Sequence, residues 1–157
     1  MSTRPDIGDP IPDIALETPE GGTVKASDFA GRPLVLFFYP KDDTPGCTVE
    51  NKDFSALAGQ FAKAGVALLG VSKDPPAKHQ KFIKKHELSA PLASDAVEHG
   101  LAEALGIWVE KSMYGRTYMG MERTTYLVDA AGRIAQVWRK VKVKGHAEAM
   151  LEAAKAL

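Results

Sequence analysis

Two unbroken apolar runs on either side of a helical pattern constrain this chain more than anything else in it. Leu34-Val-Leu-Phe-Phe-Tyr39 and Val66-Ala-Leu-Leu-Gly-Val71 show no polar alternation, and continuous runs of that length suit strands covered on both faces. Between them, Thr44-Pro45 reads as a helix N-cap followed by proline at the first helical position. Phe54, Leu57, Ala58 and Phe61 then recur at helical spacing, and Gly65 is a helix stop. Strand, helix and strand within about 40 residues make a βαβ unit, so the two strands should be parallel, with a right-handed crossover.

The rest of the chain extends that unit. Gly8 to Ala30 reads as a short β region, in which Ile14-Ala-Leu16 and Thr23-Val24-Lys25 form an N-terminal β-hairpin through a Pro19-Glu-Gly-Gly22 turn. Pro75-Pro76 opens a helix that runs to His86, and a third helix is expected from Val97 to Leu105, ending at Gly106. Thr124–Asp129 and Arg133–Arg139 read as an antiparallel hairpin turned at Ala130-Ala131-Gly132. Met150, Leu151, Ala154 and Leu157 make one face of a closing helix. A βαβ unit followed by ββα is thioredoxin-like ordering. The expected class is therefore α/β, a mixed central sheet with helices on both faces. The 157 residues, 45% of them hydrophobic and 25% charged, have the size and composition of one domain, 1–157.

Lys plus Arg and Asp plus Glu number 20 each, so the net charge is zero. Nucleic-acid and anionic-membrane proteins need a positive field, and this chain is expected to bind neither. The basic run Arg139, Lys140, Lys142 and Lys144 reads as a solvated strand end. Met1 to Pro10 is polar without an apolar core of signal-peptide length, and no stretch is long and apolar enough to span a membrane. The single cysteine cannot close an internal disulfide. Together these features point to a reducing compartment, the cytoplasm. His79, His86, His99 and His146 lack metal-ligand spacing and read as scattered surface histidines, and Asp42-Asp43 reads as a solvated loop, so no metal or other cofactor is expected.

Cys47 stands where chemistry is expected. Tyr39-Pro-Lys-Asp-Asp-Thr-Pro-Gly-Cys-Thr48 joins the carboxyl end of a buried strand to the start of a helix, the place where ligand sites form in open α/β sheets. With Thr44 as N-cap, Cys47 lies in the first helical turn, among free N–H groups and the positive end of the helix dipole. Gly46 leaves that backbone open to a small substrate. The reactive form of a cysteine is the thiolate, and activating a thiol by roughly two pKa units takes about 2.7 kcal/mol. A helix terminus supplies about 0.3–1 kcal/mol, and about 2 at best. A cation from a distant segment must add the rest. Arg123, which follows a glycine-punctuated loop and precedes the strand Thr124–Asp129, is the candidate. Glu50 either orients Arg123 or Thr44 or stands as a solvated first-turn acid. Trp108, Tyr114 and Tyr118 either wall the pocket or pack the core.

Pro40, Thr44 and Cys47 match the Pro-x-x-x-Thr-x-x-Cys signature of the peroxiredoxins. The wider string Phe38-Tyr-Pro-Lys-Asp-Asp-Thr-Pro-Gly-Cys-Thr-Val-Glu50 resembles their bacterioferritin comigratory protein branch, also called the Q type. The resemblance runs nearly the whole chain, through Gly8-Asp9-x-x-Pro12, Glu110-Lys-Ser-Met-Tyr-Gly-Arg-Thr-Tyr-Met-Gly-Met-Glu-Arg123 and Gly145-His-Ala-Glu148. It implies a thioredoxin fold, a monomer or weak homodimer, and reduction of hydrogen peroxide and organic hydroperoxides without a cofactor. It also implies roles. Cys47 is the peroxidatic nucleophile, and the Thr44 hydroxyl hydrogen-bonds the thiolate and the peroxide. Arg123 holds the thiolate and polarises the peroxide oxygens, and Pro40 shields the site from water. Preset donors of this kind act most strongly on the charge that builds on the leaving oxygen.

Many relatives also carry a resolving cysteine, either five residues after the first, where this chain has Lys52, or in the next helix, near Ile83 here. Both are absent. The resemblance then implies a one-cysteine cycle: a sulfenic acid, a mixed disulfide with an external thiol, and release. Thioredoxin, or glutathione with glutaredoxin, would supply that thiol. Other cysteine chemistries fit less well. A disulfide oxidoreductase needs a second cysteine at position 50, and a cysteine phosphatase usually has an arginine at position 53, where this chain has Asp53. Nothing pairs a histidine with Cys47 as a hydrolase would require. The alternative is a non-catalytic binding or chaperone-like thioredoxin-fold protein that retains the motif.

Overall fold

The computed structural model describes residues 4–97 and 99–157. The N-terminal hairpin is present but short: β1 (Leu16–Glu17) pairs antiparallel with β2 (Thr23–Val24). The first apolar run is β3 (Leu34–Phe38), and the helical pattern after it is α1 (Pro45–Lys63), with Thr44 at its N-cap and Gly65 at φ 73° just past its end. The second run is β4 (Ala67–Ser72), parallel to β3 from Leu34↔Ala67 to Phe38↔Val71. Every residue of both strands is buried, as unbroken apolar runs require. Position 70 in β4 is glycine, where a Cβ would lie 2.5 Å from the Phe37 ring.

After α2 (Pro76–His86) come β5 (Leu92–Ser94), α3 (Leu101–Ala104), β6 (Trp108–Met113), β7 (Arg116–Met121), β8 (Thr124–Val128), β9 (Ile134–Trp138) and α4 (His146–Lys155). The main sheet runs β2-β1-β5-β4-β3-β8-β9, with β3, β4 and β5 parallel and the remaining pairs antiparallel. Phe37, Phe54, Phe61, Phe82 and Leu151 fill the face covered by α1, α2 and α4. Leu36, Phe38, Leu105, Ile107 and Tyr126 fill the other face, with α3. This is the expected thioredoxin-like mixed sheet between helical layers.

Several local expectations give way. Only Leu101–Ala104 of the expected helix Val97–Leu105 is helical, and Glu98, within that range, lies outside the described residues. The Asp95 carboxylate accepts the N–H groups of Leu101 (3.0 Å) and Ala102 (2.7 Å), so it caps the helix from outside. Gly100 permits this, since a Cβ there would lie 2.1 Å from Asp95 Oδ1. The stretch before Arg123 is a hairpin, β6 with β7, turned at Tyr114-Gly115 with both residues at positive φ (53° and 76°). Leu157 is exposed beyond the end of α4, leaving Met150, Leu151 and Ala154 as its buried face. In the basic run, Lys140, Lys142 and Lys144 are exposed, but the terminal guanidinium nitrogens of Arg139 are buried, close enough to Tyr126 to oppose the rise that burial imposes on the phenol.

Candidate active site

The loop from β3 and the first turn of α1 place Cys47. Pro45 has no N–H, and the first intrahelical bond runs from Thr48 N–H to the Thr44 carbonyl at 2.8 Å. The N–H groups of Gly46 and Cys47 therefore precede the helical ladder, where an anion is favoured. Cys47 is 1% exposed and sits against the apolar cluster that includes Tyr39 and Phe54. Its carbonyl accepts from Asn51 Nδ2 at 2.9 Å, and Gly46 beside it is exposed. Gly46 has no side chain to cover the first turn, and Cys47 packs into the apolar cluster.

Arg123 reaches this turn from the neighbouring strand: it directly precedes Thr124, which pairs with Phe38 at the end of β3. Its Nη2 donates to Cys47 Sγ at 3.3 Å and its Nη1 to Glu50 Oε1 at 2.5 Å. The backbone is pinned as well, since the Arg123 carbonyl accepts from Val141 N–H at 2.9 Å. Burial works against the guanidinium charge, but Glu50 and Cys47 outweigh it and hold Arg123 above its ordinary value. Glu50, one turn after Cys47, is 1% exposed and is not a solvated acid. Burial pushes it up to about 7, against the pull of Arg123, and its second oxygen has no hydrogen-bond partner among the described residues. One guanidinium thus serves both the Glu50 carboxyl and the Cys47 sulfur, with one donor arm for each.

The structure brings Cys47, Glu50 and Arg123 together and treats the other expected residues differently. Thr44 is half-buried, and its hydroxyl donates to the Lys41 carbonyl at 2.8 Å, where it closes the loop without capping α1. To donate to a thiolate or peroxide, that hydroxyl has to turn. Pro40 is half-buried and lines a cleft of about 500 Å³ with Lys41, Trp108, Lys111, Tyr118 and Met119. The hairpin thus carries Trp108 and Tyr118 to a pocket wall, while Tyr114 at its tip is exposed. Lys52 is exposed and Ile83 half-buried.

Other residues escaped the sequence reading. Lys111 donates to the Met121 carbonyl at 2.6 Å and is held below its ordinary value, first by burial and then by Arg123. His79 and His146 are buried, unlike surface histidines. His146 Nε2 meets Thr125 Oγ1 at 2.8 Å, and burial, with Arg123 second, pushes the ring down to about 4. Asp42 is buried against Tyr39 and His79, so it is not a solvated loop residue, whereas Asp43 is exposed. No group of three or more potential metal ligands occurs among the described residues, and none of their helices is long and apolar enough to cross a membrane.

Comparison with known proteins gives the family and the fold. The AhpC/TSA family matches residues 7–137. Peroxiredoxin Bcp of Bacillus subtilis is 47% identical over 150 residues, which span 96% of this chain and 95% of that one. A structure of the Xanthomonas campestris bacterioferritin comigratory protein, solved to explain its alkyl peroxide reduction activity, superposes with a TM-score of 0.88 at 44% identity, covering 96% of this chain and 98% of that one. A cysteine-to-serine variant of PrxQ from Xylella fastidiosa superposes with a TM-score of 0.91 at 37% identity, covering 99% and 98%. The chain belongs to the AhpC/TSA family, as a peroxiredoxin of the Bcp or Q branch that lacks a resolving cysteine.

Proposed function

We propose that this peroxiredoxin reduces hydrogen peroxide and organic hydroperoxides through Cys47 in a one-cysteine cycle. The observation that carries the reading is the 3.3 Å contact of Arg123 Nη2 with Cys47 Sγ at the open start of α1. The thiolate attacks the terminal peroxide oxygen, the O–O bond breaks, and the alkoxide leaves as alcohol with a proton from solvent. Arg123 and the N–H groups of Gly46 and Cys47 hold the charge as it moves from sulfur to oxygen. Thr44 turns its hydroxyl toward the peroxide, and Pro40 keeps water from the sulfur. An external thiol then attacks the Cys47 sulfenic acid, releasing water and forming a mixed disulfide, and a second thiol frees Cys47.

Thioredoxin, or glutathione with glutaredoxin, is the proposed donor, and the cytoplasm the proposed compartment, since a lone thiol cycle needs a reducing pool. The proposed unit is a single domain acting as a monomer or weak homodimer. The alkyl peroxide activity of the Xanthomonas campestris relative favours organic hydroperoxides among the substrates.

The test mixes reduced protein with one equivalent of cumene hydroperoxide or hydrogen peroxide. Tryptophan fluorescence is followed by stopped flow, and the product is trapped with dimedone for mass analysis. Rapid peroxide loss with an adduct on Cys47 is expected. A rate near that of an ordinary free thiol would defeat the proposal.

A further inference from the structure

Five polar side chains with no part in the steps above are buried together beneath the loop between β3 and α1: Tyr39, Asp42, Ser72, Asp74 and His79. His79, on α2, is 0% exposed. Its Nδ1 lies 2.6 Å from Asp42 Oδ2 and its Nε2 3.0 Å from the Ala93 carbonyl just after Leu92 in β5. A carbonyl only accepts, so Nε2 carries a hydrogen, and the Nδ1 contact shares a further proton with Asp42. The Tyr39 hydroxyl donates to Asp42 Oδ1 at 2.6 Å, and burial and Asp42 hold the phenol well above its ordinary value, so it stays a donor. The Asp42 N–H in turn donates to Asp74 Oδ2 at 2.7 Å, which also takes the Ser72 hydroxyl at 2.7 Å.

Asp42 is therefore gripped through its side chain and its backbone at once. The next residue, Asp43, sits at φ 62° and meets Lys85 Nζ at 2.7 Å and His86 Nε2 at 2.8 Å, both on α2. Thr44 follows, with its hydroxyl on the Lys41 carbonyl. A displacement of Asp42 thus passes to Thr44 within two residues and to the N–H groups of Gly46 and Cys47 soon after. For stability alone, an apolar cluster would serve as well as a buried ionic one. A fully bonded network instead selects one arrangement of the chain. Nothing in a one-cysteine cycle requires α2 to move, which leaves it free to act as a fixed strut.

We propose that His79 and Asp42 are positioning residues for the peroxide reaction, latching the loop that presents Thr44 and Cys47 onto α2 and the sheet. The proposal rests on the peroxidase reading. Reaction with peroxide needs the Thr44 hydroxyl and the helix-start N–H groups in register, whereas alkylation by iodoacetamide needs only a reachable thiolate. Both second-order rate constants would be measured for wild type, His79→Leu, His79→Gln and Asp42→Asn. His79→Leu and Asp42→Asn are expected to slow the peroxide reaction about tenfold or more, with alkylation changed less than about twofold. His79→Gln, whose amide still donates to Asp42, is expected to recover at least about a third of the wild-type rate. Equal losses in both reactions would mean general loosening and overturn the proposal, as would an unchanged peroxide rate. If His79→Leu does not fold, the nearly isosteric Asp42→Asn decides alone. A slow wild-type protein defeats the peroxidase reading itself, whereas a fast one with unaffected variants defeats only the latch.

Discussion

At the scale of single residues, the site turns on how Arg123 divides its two donor arms between a thiol and a carboxylate. A lysine is a point charge without the rigid fork, so it does not fix two donors in this geometry. Arg123→Lys is expected to lower the rate of Cys47 oxidation about 100-fold, the size of effect seen when a preset donor leaves a transition state, and stopped-flow peroxide titration checks it. Glu50 gives a second test, through stability. Its value in the fold, about 7, lies above the ordinary 4.5. The fold therefore favours the protonated carboxyl, and the stability this brings is present below about 4.5 and lost as pH rises through about 7. Glu50→Gln imitates the protonated form permanently. It should be more stable than wild type at pH 8 by up to about 3 kcal/mol and should converge with it near pH 4.5, as read from urea midpoints.

At the scale of elements, glycines mark where backbone and side chains crowd. Gly70→Ala would press a methyl into the Phe37 ring and Leu92 between β3, β4 and β5. It is expected to cost about 1–3 kcal/mol, visible as a lowered thermal midpoint, with the peroxide rate of the folded fraction unchanged. The strands and helices with a strong apolar period were legible: β3, α1, β4, α2, β8 and α4 fall where the residue pattern puts them. The β6–β7 hairpin was not, because it is a separate ribbon whose residues are mostly exposed, so no buried face imprints alternation on it. β5, with three residues, is too short to carry a period. The loop before α3 was misread because its capping acid, Asp95, lies six residues before the N–H it satisfies, outside any local capping pattern.

Across the whole molecule, two buried groups set opposite pH limbs. His146 is pushed down to about 4 by burial beside Phe54 and by Arg123. Because the fold disfavours its charged form, the stability it brings is present above about 6.5 and lost as pH falls to about 4. His146→Gln is expected to flatten the acid limb between those values and leave the alkaline limb, which belongs to Glu50, in place. Urea unfolding across pH 4 to 8 tests both at once.

The sequence by itself determined the order of the main elements, the cysteine at the start of a helix, and the absence of any second cysteine to resolve it. Apolar period, proline and glycine are local signals, and they survive without knowledge of what packs on what. Only the tertiary structure decided that Glu50 is buried and shares Arg123 with Cys47 across 76 residues of chain. It alone showed that Asp42 and His79 meet 37 residues apart, and that the Thr44 hydroxyl rests on Lys41. The reason is physical. Whether a charged group is solvated, paired or protonated depends on burial and on distances through space, and a chain records only the distances along itself.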